Sequence, residues 1–149
     1  MKVIKTGVES VDDLYDIEFT GNMIPHSWYA AIQTENSRPD LAAIVILAEI
    51  LYWHRPTMER TADDAAVIVL KKKFHADLLQ MSYAQIEKKL FLSKAQSRRA
   101  LEKLENLGLI ERCLRTVVTE SGNKLGNVMY IKLFTQRLLE VTFTDADHC

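Results

Sequence analysis

The sequence has few of the residues that build covalent or metal-bound frameworks. It contains two cysteines, Cys113 and Cys149, and four histidines, and none of these stands at metal-ligand spacing. Cys113 falls in a predicted strand and Cys149 is the last residue, so we expect no internal disulfide. Such sparse cysteine use is typical of a reducing, cytoplasmic setting.

Motifs that carry catalysis or nucleotide binding are also missing. The sequence has no CxxC, no GxGxxG and no GxxxxGK[ST] pattern. Ser82, Ser93 and Ser97 are explained as helix caps or packing residues, and the acidic pairs Asp12-Asp13 and Asp63-Asp64 fall in loop-like segments. We therefore expect a non-enzymatic protein with no cofactor and no metal.

No apolar run is long enough for a membrane span. The longest one, from Leu41 to Trp53, contains Glu49 and falls short of the roughly 20 residues that a bilayer requires. The first 19 residues are acidic where a signal peptide would need an apolar centre. The sequence predicts no membrane association.

Charge is present in ordinary amount but is unevenly distributed. From Lys71 to Arg137 there are 14 Lys/Arg and 6 Asp/Glu, a net of +8, whereas the remainder holds 5 and 14, a net of −9. Such a split indicates a basic functional module beside acidic segments. We divide the chain into an acidic N-terminal arm and extension (1–36), one domain (37–141) and a flexible tail (142–149).

Two helices are predicted before the basic module. Ser27 can cap a short one that ends at Gln33, and Ser37 with Pro39 can open a second one from Leu41 to His54. The second is apolar on nearly every face, which indicates a core helix. A surface for a homodimer is the alternative for Leu41–His54.

The connection that follows is harder to assign. Thr57 to Ala66 is polar and reads as a loop, whereas the β-branched run Val67 to Leu70 can be a strand. Phe74 to Gln80 leads into the basic module, and we expect a short strand there that pairs with a later hairpin.

The stretch Ser82 to Lys132 organises the chain. Ser82 with Gln85 can cap a helix from Tyr83 to Leu90, and Ser93 can cap a second helix from Lys94 to Leu107, which Gly108 ends. The second helix carries one apolar stripe at helical spacing: Ser97, Ala100, Leu101, Leu104 and Leu107.

Two β-rich runs follow the helix pair. Leu109 to Val118 and Val128 to Phe134 flank a turn rich in glycine and asparagine, and a last short helix is expected from Gln136 to Val141. Helix, tight turn, helix and hairpin is the order of a winged helix-turn-helix. The expected fold class is mainly α with a small β-hairpin, a winged helix-turn-helix with an N-terminal extension.

The motif residues of this stretch resemble a known family. Leu92-Ser93-Lys94, Arg98 to Leu101 and Leu107 to Ile110 resemble winged-helix proteins of phages and plasmids, in particular the N-terminal domain of replication initiators and replisome organisers. The upstream segment Ile44 to Trp53 is similar to that group as well. The resemblance implies DNA binding in replication initiation or transcriptional regulation of a mobile element. Those proteins usually continue into a second domain, whereas this sequence ends soon after the wing, so we do not expect the full role of an initiator.

The second helix supplies the predicted DNA contacts. Gln96 and Arg99 are the expected readers of base edges, because glutamine can pair with adenine and arginine with guanine, while Lys94 or Arg98 alternates between base and phosphate. The remaining candidates are basic residues expected near phosphates: Lys88, Lys89, Lys103, Arg112, Arg115 and Lys124.

These patterns leave two functions open. The first is sequence-specific binding of double-stranded DNA. The alternative is a protein-interaction module, for example an inhibitor of a nucleic-acid machine, which the acidic balance outside the module favours. In that case the acidic N-terminal arm is the expected contact for a protein partner.

Overall fold

The computed structural model describes residues 2–61 and 64–143, which form helices and strands in alternating blocks. In chain order the elements are α1 (Glu9–Asp12), α2 (Trp28–Ala31), α3 (Leu41–His54), β1 (Thr57–Thr61), β2 (Asp64–Lys71), β3 (Leu79–Gln80), α4 (Tyr83–Leu90), α5 (Lys94–Asn106), β4 (Ile110–Val118), β5 (Lys124–Leu133) and α6 (Thr135–Thr142). Most of the predicted tail, 144–149, lies outside the described residues.

The predicted fold class, mainly α with a small β-hairpin, is wrong. The chain is α+β, with 38% helix and 24% strand. Its strands form two antiparallel sheets, a β1–β2 ribbon and a three-stranded sheet in the order β3-β5-β4. The segment Thr57–Ala66, predicted as a loop, holds β1 and the start of β2. Its polar residues lack strand periodicity, and backbone pairing with the apolar half of β2 outweighs that weak propensity.

Helix α3 is the centre of the core. Its N-cap is Asp40, which accepts a hydrogen bond from the Ala43 amide at 3.2 Å, and not Ser37 as predicted. Seven of its residues are buried, and the helix packs against α2, α4 and α5. Most of these apolar faces pack inside one chain, whereas Leu41 and Tyr52 stay exposed, so a homodimer surface on Leu41–His54 remains a prediction.

Helix α2 joins the core to the end of the domain. Trp28 is fully buried, and its Nε1 donates a hydrogen bond to Oγ1 of Thr142 at 2.8 Å. Ser27 does not cap the helix as predicted, because its hydroxyl donates to the Thr142 carbonyl. The N-terminal extension and α6 thus close over the same side of the core.

Helices α4 and α5 have the predicted positions and caps. Ser82 with Gln85 and Ser93 with Gln96 each form a complete capping box. Between the helices, Phe91 adopts a left-handed conformation with a φ of 58°, which turns the chain sharply. The predicted stripe of α5 faces inward, with Ser97, Ala100, Leu101 and Leu104 buried.

The three-stranded sheet packs against α5 through β4. Strand β3 pairs with β5 through Leu79 and Ile131, which confirms the predicted short strand. Strand β5 begins at Lys124, four residues before the predicted Val128, so the turn from Thr119 to Asn123 is tighter than expected. A search of the described helices found none with the length and apolar character that a bilayer crossing demands.

Candidate nucleic-acid interface

The outward face of α5 begins with a cluster of cations. Because Ser97 and Leu101 point into the core, helical geometry places Arg99 on the opposite side of the helix, with Arg98 beside it. Lys94, Arg98 and Arg99 are all exposed, and no acidic side chain in the described residues forms an ion pair with them. Their charge is therefore available to an anionic ligand.

Gln96, a predicted reader of bases, is engaged in the cap of its own helix. Its side-chain Oε1 accepts a hydrogen bond from the Ser93 backbone amide at 2.9 Å, and the Gln96 backbone amide donates to the Ser93 hydroxyl at 3.1 Å. A bidentate contact with adenine needs both the oxygen and the nitrogen of the side-chain amide. Gln96 must therefore open the capping box before it can make that contact.

Arg112 is held at the base of the hairpin. Its guanidinium forms an ion pair with Glu105 of α5, and it donates a hydrogen bond to the Tyr83 hydroxyl at 3.3 Å. Burial alone would lower the pKa of Arg112, but the bonds to Glu105 and Tyr83 outweigh it and raise the pKa. The residue thereby joins β4 to both helices of the pair.

Arg115 is likewise occupied inside the chain. Both of its terminal nitrogens donate to the Asp77 carboxylate, at 2.6 and 3.0 Å, and the guanidinium lies 4.8 Å from the centre of the Tyr130 ring. The hydrogen bonds from Arg115, with its charge, lower the pKa of Asp77 to about 2. This pairing offsets the charge that was predicted for a phosphate contact.

Lys88 and Lys89 lie away from the exposed face of α5. Lys89 pairs with the buried Glu49 at 2.6 Å, and both lysines line a groove bounded by α3 and α4. Burial alone would raise the pKa of Glu49. Hydrogen bonds from Lys89, Asn22 and Trp53 outweigh burial and hold the pKa below its ordinary value. Lys103, the last predicted candidate on α5, is half-buried.

A cleft of about 680 Å³ separates α5 from the hairpin. Lys94 and Arg112 stand on its lining together with Tyr83 and Asn127, and Lys94 lies 5.7 Å from the centre of the Tyr83 ring. Lys124 is exposed at the start of β5, next to the turn. The structure thus brings Lys94 and Arg112 to one cleft and leaves Lys124 at the hairpin end.

The acidic partners of the predicted cations were not foreseen from the sequence. Glu49, Asp77 and Glu105 each hold a predicted DNA contact, at separations of 40, 38 and 7 residues. No local sequence pattern predicts the two long-range pairs, Lys89 with Glu49 and Arg115 with Asp77. Within residues 2–61 and 64–143, no group of three or more His, Cys, Asp or Glu could hold a metal ion.

Comparisons with protein families, with curated proteins and with solved structures matched nothing.

Proposed function

We propose that this chain binds double-stranded DNA through the first two turns of α5, with the β4–β5 hairpin beside them. The observation that carries the proposal is the exposed triad Lys94, Arg98 and Arg99 on the outward face of a capped, well-packed helix. A helix that presents cations in its N-terminal turns matches what docking in the major groove requires.

We infer different roles for the three residues of the triad from their positions on the helix. Arg99 stands farthest from the core, so it reaches deepest when the helix enters a groove and is the reader of a guanine edge. Arg98 and Lys94 flank it and neutralise phosphates, with help from the positive N-terminal end of the helix. Gln96 remains a cap in this arrangement.

In the proposed DNA complex, the hairpin supplies few unpaired charges, and its main role is to lie in a fixed position beside α5. Lys124, at its end, forms no ion pair with any residue that the structure describes. Arg112 and Arg115 instead act in ion pairs that fix the hairpin against α5 and against the segment before β3. We infer that fewer DNA phosphates are contacted than the six cations predicted near phosphates would imply. Replication initiation or transcriptional regulation of a mobile element is the proposed process, and it rests on the resemblance of the motif residues.

Fluorescence anisotropy with labelled duplex DNA tests the proposal. Randomised and selected 20-base-pair duplexes are titrated with the full chain at several salt concentrations. We expect binding whose affinity falls steeply with salt, and a selected sequence that binds more tightly than random DNA. Absence of binding to both duplexes at low salt overturns the proposal.

A second candidate, a protein-binding module, is favoured by the β1–β2 ribbon. Met58 and the four residues Val67 to Leu70 expose 40–71% of their surface, and contiguous apolar exposure of this kind marks interaction sites. A stoichiometric protein complex, together with no duplex binding in the anisotropy series, would select this candidate.

A further inference from the structure

A lysine-rimmed apolar groove lies on the side of the domain formed by α3, α4 and the segment before β3. Its volume is about 780 Å³. The walls are mostly apolar, with Trp53, Phe74 and Leu78 among them, and Lys73, Lys88 and Lys89 line it as well. A groove of this size with apolar walls and a few polar groups has the character of a binding site. Its cationic lining favours an occupant that is both apolar and acidic.

The acidic arm of this chain, residues 8–19, has that composition. Its acidic residues are Glu9, Asp12, Asp13, Asp16 and Glu18. Between them stand six apolar side chains that each expose 50–75% of their surface: Val8, Val11, Leu14, Tyr15, Ile17 and Phe19. Among the described residues, therefore, the arm has no apolar cover.

The arm is nevertheless locally ordered. The carboxylate of Asp12 accepts hydrogen bonds from the amides of Thr6 and Gly7 and from the Thr6 hydroxyl, at 2.8–3.2 Å. These bonds brace the short helix α1, which buries none of its residues. A segment that is already partly ordered loses less conformational entropy when it binds a partner than a fully flexible segment does.

The arm leaves the body at the groove itself. Asn22 donates a hydrogen bond to Oε2 of Glu49 at 2.6 Å, and Glu49 lines the groove. Three residues earlier, Phe19 is 75% exposed, and none of residues 8–19 lines the groove of its own chain. A second copy placed around a two-fold axis can receive this arm without any reversal of the chain.

We propose that the lysine-rimmed groove binds the acidic arm of a second copy, so that two chains exchange arms reciprocally. The arm supplies apolar side chains to the walls and carboxylates to Lys73 and Lys88. Both contacts repeat by symmetry, as in a closed dimer with a two-fold interface. The test of this self-association measures the mass of the protein without DNA. Its outcome therefore does not depend on whether the chain binds DNA.

Sedimentation equilibrium of the full chain tests the proposal with one variant on each side of the contact. The arm variant is I17D/F19D and the groove variant is Lys88→Glu, and both alter exposed side chains. We expect a wild-type dimer, and a dissociation constant raised at least about tenfold in each variant. The matched controls are Lys124→Glu, an equal charge reversal on the hairpin, and Met58→Asp on the ribbon; both should dimerise normally.

Mixing the two variants distinguishes exchange from an arm that folds onto its own groove. The groove variant keeps a native arm and the arm variant keeps a native groove, so an exchanged pair recovers one contact and the mixture associates more strongly than either variant alone. A monomeric wild type, a dimer unaffected by both variants, or a dimer lost in Met58→Asp overturns the proposal. A mixture that gains no association also overturns it.

Discussion

The Nζ atom of Lys89 lies 2.6 Å from Oε1 of Glu49, and this ion pair ties α4 to the central helix α3. Glu49 is only 4% exposed, and it also accepts hydrogen bonds from Asn22 and Trp53. One buried carboxylate therefore joins the helix pair, the core and the root of the N-terminal arm.

Lys89→Met should lower the free energy of unfolding at pH 7 by about 1–2 kcal/mol, because it leaves a buried carboxylate with fewer donors. The pKa of Glu49 lies below its ordinary value of 4.5, so the stabilisation is present above that pH and is lost as the pH falls through the lowered pKa. Urea unfolding at pH 7 and pH 3 should show the difference from wild type shrinking in acid. Lys88→Met, at the neighbouring exposed lysine, should change stability little at either pH.

The Asp77 carboxylate should titrate with a pKa of about 2 while Arg115 is present. In Arg115→Met the hydrogen bonds and the charge are gone, and the pKa should rise towards the ordinary 3.8. Carboxyl carbon shifts followed by NMR across pH 1.5–6 measure both values. Arg137→Met, which removes an arginine that pairs with Glu140, should leave the Asp77 titration unchanged.

Changes at Gln96 separate capping from base reading. Gln96→Glu preserves the capping box, so its stability should stay within about 0.5 kcal/mol of wild type, while its carboxylate should weaken DNA binding by repelling phosphates. Gln96→Ala should lose part of the cap and leave DNA affinity nearly unchanged. Thermal unfolding and anisotropy check the two effects, and a large loss of affinity in Gln96→Ala would restore Gln96 as a reader.

Arg99→Ala should relax sequence preference at one position of the bound DNA. We expect a loss of about 1–3 kcal/mol for the preferred duplex and a much smaller loss for duplexes substituted at that base pair. A panel of single-base-pair variants of the selected duplex, measured by anisotropy, locates the position. Arg137→Ala removes the same charge from α6 and serves as the control, and a uniform loss across the panel would place Arg99 on phosphate.

Lys124→Ala should reduce the slope of log affinity against log salt by about 0.9, the value for one phosphate contact. The loss of affinity should be nearly equal for every duplex. The double change Asp77→Asn/Arg115→Met removes a paired arginine without altering net charge, so its slope should match wild type. A reduced slope in the double variant instead would mean that Arg115 leaves Asp77 when DNA binds.

The helix pair was predictable because its signals are local. Ser82, Gln85, Ser93 and Gln96 set the two capping boxes within four residues each, and the stripe from Ser97 to Leu104 marks the buried face at helical spacing. Strand β1 of the ribbon was missed because it is polar and acquires its conformation from pairing, whereas Val67 to Leu70 in β2 was predicted as a strand. Whether Arg115 is available to a phosphate depends on Asp77, which is 38 residues away in sequence. That pairing exists only in the completed fold, so it could not be predicted from local sequence.

Strand β5 lies at the centre of its sheet, yet within the described residues only α6 follows it. Its sheet partners β3 and β4 and the helices α4 and α5 all precede it in the chain, so the buried residues Met129 to Ile131 are synthesised after them. Helix α5 is therefore synthesised before the central strand of the sheet that packs beside it. We expect a chain that stops before β5 to lack the central strand of this sheet and to be cleaved by proteases faster than the full chain.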